Sequence, residues 1–423
     1  MENRIKQLCA FLDKSPSVYH AVAAVEEMLS GYTRLYENKP WKLTAGEKYY
    51  MMKDSALIAF RIPEAAPTGF LLSASHADRP TFQVKENGEL TGKYTRLSTE
   101  KYGGPIIATW LDRPLSIAGR VMVETETGVQ SKLINIDRDL LLIPNVAIHM
   151  NRKLNEGYAW NVAVDTLPLM GGESGRLDAL LEEAAGGRIL GHDLYLYVRE
   201  KAKVWGMEQE YISAQGLDDL ACVFGCARGF LDATAGSTVP VLCVFDSEEI
   251  GSQSAQGADS RLLEAVLERI CKAMDYDADI LLSQSMMVSA DNAHAIHPNH
   301  PEFADANNAP VVNGGVVLKF NANRRYATDA LAAALFRKVC AAASVPVQTY
   351  CNRADLPGGS TLGSISLSHV AVPTADIGMP QLAMHSCYET AGVRDIDYLA
   401  DAMTAFYSAS LRSGENGSYV VKK

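Results

Sequence analysis

The chain has 423 residues, 48% of them hydrophobic, and a formal net charge of -11. Its length exceeds one ordinary domain of about 100 to 200 residues, so two domains around a sizeable core are expected. The acidic balance argues against a nucleic-acid backbone as partner, and the sequence contains no run of about 20 apolar residues that would span a membrane.

The opening segment MENRIKQLCAFLDKSPSVYH reads as an amphipathic helix. It lacks the basic start, apolar run and small-residue cleavage site of a signal peptide, so a cytoplasmic protein is expected. The eight cysteines form no paired framework, which predicts free, buried thiols. Leu8, Phe11, Leu12, Val18, Val22, Val25 and Leu29 form an apolar stripe at helical spacing. Ser15-Pro16 should divide it into two helices, since proline disfavours a helical residue before it.

Short apolar runs, partly β-branched and bounded by turn residues or charges, predict strands at 56–62, 69–75, 239–245, 280–288, 316–320 and 370–377. Helical stretches at 217–231, 260–274, 328–343 and 396–412 alternate with them. That alternation implies an α/β fold, a mostly parallel sheet flanked by helices. Residues 93–215 read differently, with short alternating segments such as 119–124, 131–136 and 193–198. Glycine pairs at 171–172 and 186–187 mark loops there, and Gly171–Gly175 is expected to be a loop. A β-rich domain at 93–215, inserted into a catalytic domain of residues 1–92 and 216–423, is the resulting expectation.

The acidic and histidine residues fall at strand ends. His76-Ala77-Asp78 follows the run ending at Ser75, and Asp246-Ser247-Glu248-Glu249 follows Phe245. Asp291 lies just past the run ending at Val288, and His385 closes a short loop after Ile377. Asp218 opens a helical stretch. Open α/β sheets bind ligands outside the carboxyl ends of their strands, so these residues should share one rim. Imidazole and carboxylate donors suit zinc, cobalt or manganese without a thiolate. Crowded carboxylates repel one another, and divalent cations remove that cost. Two ions about 3.5 to 4 Å apart can share a bridging carboxylate, leaving another carboxylate as general base. Taken singly, each residue has an ordinary reading: a solvated helix start for Glu248-Glu249, a cap for Asp291, a hydrogen-bonded structural histidine for His385. Their joint placement points to a metal-dependent hydrolase. The chain lacks a G-x-G-x-x-G after a strand, a P-loop, H-E-x-x-H and G-x-S-x-G.

The segments SASHADRPTFQVK, YGGPIIATWLDRPLSIAGRV, IPNVAIHMNRKLN, LDDLACVF, FDSEEIGSQSAQGA, SADNAHAIHPNH, KFNANRRYA, GGSTLG and MPQLAMHS, with the opening FLDKSPSVYHAV, occur in that order. They resemble the aspartyl aminopeptidase family, which includes yeast vacuolar aminopeptidase, over nearly the whole chain. The resemblance implies two divalent ions per chain, zinc foremost. His76, Asp291, Glu249 and His385 would be ligands, Asp218 the bridge, Glu248 the general base and Asp78 an orienting residue. It also implies peptide substrates with acidic N-terminal residues, and a homo-oligomer of twelve subunits built from dimers through the inserted domain. His149 resembles a histidine donated to a neighbouring subunit's site; its other reading is a buried strand histidine. Lys319 and Tyr326 match pocket positions, with Lys319 the cation for an acidic side chain and Asp355 the partner of the substrate amine. His294 and His297 match family histidines without an assigned role. HADRP stands where the family has HTDSP, so Arg79 either adds charge near the substrate or faces solvent. SEE stands for NEE or HEE, and ADLPGGSTLG departs from NDTPCGTTIG around Asp355. An apolar or mixed specificity, or a related two-metal amide hydrolase, is the alternative; an idle assembly protein would have lost ligands.

Overall fold

The computed structural model describes residues 2–172, 176–234 and 236–422. Three of the five residues in the expected loop Gly171–Gly175 therefore lie outside the described residues. The amphipathic start forms two helices, Glu2–Asp13 and Val18–Met28. Their predicted stripe is buried against the main core.

A nine-stranded sheet organises most of the chain. In spatial order its strands are Thr33–Leu35, Lys48–Lys53, Ala56–Arg61, Val239–Phe245, Phe70–His76, Met286–Ala290, Thr374–Gly378, Val316–Phe320 and Val347–Cys351. The four central members, Val239–Phe245 through Thr374–Gly378, run parallel to one another. Antiparallel pairs flank them on both sides, so the sheet is mixed. The central strands are buried on both faces, which is why they read as continuous apolar runs. Leu71, Leu242 and Val244 pack with helices Glu2–Asp13, Val18–Met28, Leu217–Asp232 and Val393–Ser408. Phe70, Leu72, Val241 and Phe245 point to the opposite face, against helix Leu262–Met274. Helices Leu217–Asp232 and Val393–Ser408 meet closely at Gly229, where a Cβ would lie 2.4 Å from the Cβ of Met403.

Two expected strands begin later than the sequence suggested. Residues 280–288 combine the end of a helix, Ala278–Ser283, with the strand Met286–Ala290. Asp277 caps that helix by accepting from the Ile280 amide at 3.0 Å, and such a cap overrides the apolar run. The strand expected over 370–377 is confined to Thr374–Gly378. Similarly, the helix expected to reach 412 stops at Ser408, and Ser410–Ser413 pairs as a strand with Tyr419–Lys422.

A second, six-stranded sheet has the order Gly128–Asn135, Leu115–Thr125, Ile189–Val198, Thr81–Leu90, Thr95–Tyr102, Leu169–Gly171. All its pairings are antiparallel, and it has its own core around Phe82, Trp110, Ile117 and Leu196. It begins at Thr81, upstream of the expected boundary at 93. Lys203–Trp205 and Tyr211–Ala214 lie outside it: they pair with each other, and Tyr211–Ala214 pairs with Glu389–Gly392 in a five-stranded sheet.

Candidate metal centre

Because the four central strands are parallel neighbours, their carboxyl ends share one edge. His76 ends its strand there, Phe245 leads into Glu248-Glu249, and Ala290 delivers Asp291. The strand Thr374–Gly378 leads through Pro380–Leu382 to His385. Asp218 enters from the start of helix Leu217–Asp232, with non-helical backbone at Asp218 and Asp219 and a cis peptide between them. Gly378 permits the close approach, since a Cβ on it would stand 2.0 Å from the Asp291 carbonyl oxygen.

Among the described residues, three sets of donor atoms each fall within 4.8 Å of one another: His76, Asp218 and Asp291; Asp218, Glu249 and His385; His76, Glu248 and Glu249. Asp218 belongs to the first two. Its Oδ1 lies 3.7 Å from His76 Nε2, and its Oδ2 lies 3.6 Å from His385 Nε2. His385 Nε2 is also 3.5 Å from Glu249 Oε2.

The imidazoles are held by their other nitrogens. His76 Nδ1 lies 3.1 Å from the Asp78 carbonyl and 3.3 Å from Asp78 Oδ1. His385 Nδ1 lies 3.1 Å from the Gly104 carbonyl. Bonds of this kind fix the tautomer and leave Nε2 as the ligating atom. Asp78 does further work: its carboxylate accepts the amides of Glu248 and Glu249, each at 3.1 Å, and the Tyr102 hydroxyl at 2.8 Å. Tyr102, Gly103 and Gly104 belong to the six-stranded sheet and the turn that leaves it. A Cβ on Gly103 would lie 3.1 Å from the Glu249 Cβ, so this segment presses on the rim.

Residues that the sequence reading did not single out complete the support. Glu389 is buried and accepts the Asp218 amide at 3.0 Å and the His385 amide at 2.7 Å. Asn292 donates to the Leu217 carbonyl at 2.6 Å and accepts the Met379 amide at 3.2 Å. The Asp219 carboxylate accepts the His76 amide at 3.3 Å. Asn292 and Asp219 lie beside marked residues, and a buried polar neighbour of a ligand was the available signal. Glu389 carries none, because only the tertiary fold brings it under Asp218.

The electrostatics are those of a carboxylate cluster short of positive charge. Burial, then Asp291, raises Asp218 to about 6 despite the opposing histidines. Burial raises Glu248 to about 8, with Asp291, Asp78 and Asp218 adding to it against His76. Glu249 is pushed well above the usual range by burial and by Asp218. Burial opposes protonation of His76, but its bond to Asp78 and the carboxylates of Asp219 and Glu248 outweigh it and raise the group. Among the described residues, buried Asp218 Oδ1 and Glu249 Oε1 have no hydrogen-bond partner. Unsatisfied buried carboxylate oxygens are costly, and a cation is the group that satisfies them. The nitrogen and oxygen donors fit zinc.

Other expected site residues are placed less uniformly. Lys319 is only 2% exposed. Its Nζ donates to the carbonyls of Asp291 at 2.7 Å and Asn292 at 3.3 Å, and stands 3.6 Å from Asp291 Oδ1. It also lies over the Tyr326 ring at 5.2 Å. Lys319 thus sits beneath a ligand loop, and its ammonium is already engaged. Asp355 is not brought into the cluster. It is exposed and gripped by Arg353 Nε and Nη2, each at 2.6 Å. It lines an open cleft with Arg324, Arg325, Arg353 and Phe320. His149 is exposed on a turn, which overturns its reading as a buried strand histidine. Arg79 neither faces solvent nor reaches the rim; it is buried behind it. His294 meets the Tyr350 ring edge-on at 5.8 Å, and the ring of exposed His297 lies tilted at 5.3 Å from that of His300.

A buried histidine–carboxylate rim with both Nε2 atoms presented to shared carboxylates is the donor set of a metallohydrolase. The family described as aminopeptidase I zinc metalloprotease (M18) matches residues 11–407. A probable M18 family aminopeptidase 2 of Clostridium novyi is 41% identical over 432 residues, covering 96% of this chain and 100% of the relative. A chain in the cryo-EM structure of an Ape4 and Nbr1 complex superposes with TM-score 0.92 at 35% identity, over 96% of this chain and 86% of that one. The Saccharomyces cerevisiae mApe1 dodecamer superposes with TM-score 0.85 at 25% identity, over 96% of this chain and 97% of that one. The chain belongs to the M18 family: it is a zinc-metalloprotease-type aminopeptidase. Among the described residues, no helix is long and apolar enough to cross a membrane.

Proposed function

We propose that the chain removes the N-terminal residue of peptides through a centre of two divalent ions, zinc foremost, and that it prefers acidic residues. His76, Asp218 and Asp291 would hold one ion, and Asp218, Glu249 and His385 the other. The observation that carries this reading is Asp218, whose two oxygens face different histidines. When bound, such ions polarise the scissile carbonyl and lower the pKa of water. Glu248 shares the rim but is not needed in either ligand set. With the ions bound, their charge would favour its ionised form, and the carboxylate could then take a proton from the attacking water and return it to the leaving amine. Asp78 holds the Glu248-Glu249 turn and His76 together while this happens.

The acidic preference draws on cations along the cleft that Asp355 lines. Arg324 and Arg325 line it exposed, and Arg353 faces Asp355 there. Lys319 adds charge from beneath Asp291. A substrate amine that recruits Asp355 must open its pair with Arg353, releasing that guanidinium toward an acidic side chain. The six-stranded unit, residues 81–198 by its sheet pairings, is the proposed dimer-forming domain. The dodecameric mApe1 neighbour supports a twelve-subunit assembly.

The test is a panel of aspartyl, glutamyl, leucyl and lysyl substrates, with amine-blocked versions of each. Fast cleavage of free-amine aspartyl and glutamyl substrates, abolished by blocking, is expected. Cleavage of blocked substrates at equal rate would replace this reading with an amide hydrolase of another kind.

A further inference from the structure

Behind the metal rim lies a separate cavity of about 120 Å³, bounded by Leu12, Ser15, Arg79, Tyr197, Arg199 and Gln215 among others. Arg79 is 7% exposed. Its hydrogen bond among the described residues is from Nη1 to the Ser15 carbonyl at 2.8 Å, and it forms no ion pair within 4 Å among them. The chain makes room for this guanidinium: a Cβ on Gly216 would stand 2.8 Å from Arg79 Cδ and 2.9 Å from Nη1. Gln215, on the same cavity, accepts the Val198 amide with Oε1 at 2.8 Å. That bond fixes the orientation of its amide, and its buried Nε2 is left with no partner among the described residues.

Two buried donor groups, one cationic, thus converge on one space without an acceptor between them among the described residues. The acidic residues on the cavity wall are already engaged. Asp137 pairs with Arg199, Glu200 with Arg113 and Lys203, and Asp13 accepts the Ala202 amide at 3.0 Å. Burial lowers Arg79 to about 10, with only Glu389 and Tyr197 opposing it, as expected of a cation lacking a close counter-charge. A buried charge is retained when it is paired and hydrogen-bonded. A neutral water would satisfy the Gln215 donor but not the charge.

We propose that this cavity binds a small inorganic monovalent anion of the chloride class, held by the Arg79 guanidinium and the Gln215 amide. The room suits such an anion with a few waters, and leaves too little for a peptide. The position gives it consequences. Arg79 follows Asp78, which holds His76 and the Glu248-Glu249 turn, and Gln215 precedes the segment that ends at Asp218. The anion ties the turn between the first two helices, through Ser15, to both sheets.

The test uses metal-loaded protein exchanged into gluconate. Its thermal midpoint is followed on adding chloride or bromide at constant ionic strength. A saturable rise is expected with either halide and none with further gluconate. Crystals grown in bromide should show an anomalous peak within hydrogen-bond distance of Arg79 and Gln215. Gln215→Leu should raise the half-saturating concentration about tenfold or more, the usual cost of losing a hydrogen bond to a charged group. Arg79→Met should remove the saturable response; should that variant fail to fold, the peak and Gln215→Leu decide. Absence of the peak, or an unchanged halide response in Gln215→Leu, would overturn the proposal.

Discussion

Glu389→Gln probes how the buried support controls the metal centre. The carboxylate accepts backbone amides from Asp218 at 3.0 Å and His385 at 2.7 Å, one on each oxygen. Glutamine keeps one acceptor and turns an NH2 toward the other amide, so one charge-assisted bond is replaced by two facing donors. A hydrogen bond to a charged group contributes about 1.5 to 3 kcal/mol, or about 10- to 150-fold in an equilibrium constant. A second effect enters because Glu389 is a buried anion beside Asp218 that is itself raised by burial and by Asp218. Removing its charge relieves repulsion in metal-free protein. For metal affinity the two effects add, since a less negative site and looser ligands both weaken a cation. For metal-free stability they oppose. Zinc affinity measured by chelator competition should therefore fall about 10- to 150-fold, while the melting temperature of stripped protein changes little by comparison. Zinc affinity unchanged within about threefold would refute the claim that this carboxylate sets the ligands.

Other outcomes follow from the same geometry. Glu248→Gln should retain zinc and lose about 100- to 10,000-fold in kcat, whereas Glu249→Gln should lose zinc in the same chelator assay; wild-type rates in both would mean the rim is misassigned. Lys319→Met should weaken metal loading, because Nζ holds the Asp291 and Asn292 carbonyls, and should also narrow the ratio of aspartyl to leucyl cleavage. Full zinc content with an unchanged ratio would remove Lys319 from both roles. In stripped protein, Asp218 and Glu248 are raised to about 6 and about 8, so the folded state binds protons more tightly than the unfolded one. Their contribution is then fully present below about pH 4 and is lost as pH rises to about 8. Melting curves of stripped and zinc-loaded protein should diverge over that window; parallel curves would show that these carboxyls do not face the metals.

The strand ends were legible in the sequence because fully buried parallel strands leave unbroken apolar runs. Charged residues just past such runs, as His76 and Glu248 are, are then carried to the rim. Asp218 was legible for a related reason, as an acidic residue opening a long apolar helix. Glu389 and Tyr102 were not, since each acts on the site from a distant segment through contacts that leave no local pattern. Residues 280–288 misled because an apolar run serves a helix turn and a strand equally well, and the deciding feature was the Asp277 cap. Arg79 could be seen as a departure from the family pattern, but its burial depends on Gly216 packing from another part of the chain.

The central claim is that Asp218 joins two ions. Anomalous diffraction at the zinc edge from crystals of zinc-loaded protein tests it most directly. Two peaks per chain about 3.5 to 4 Å apart are predicted, one against His76 and Asp291, the other against Glu249 and His385, with one Asp218 oxygen on each. A single peak, or two peaks with Asp218 touching only one, would contradict it.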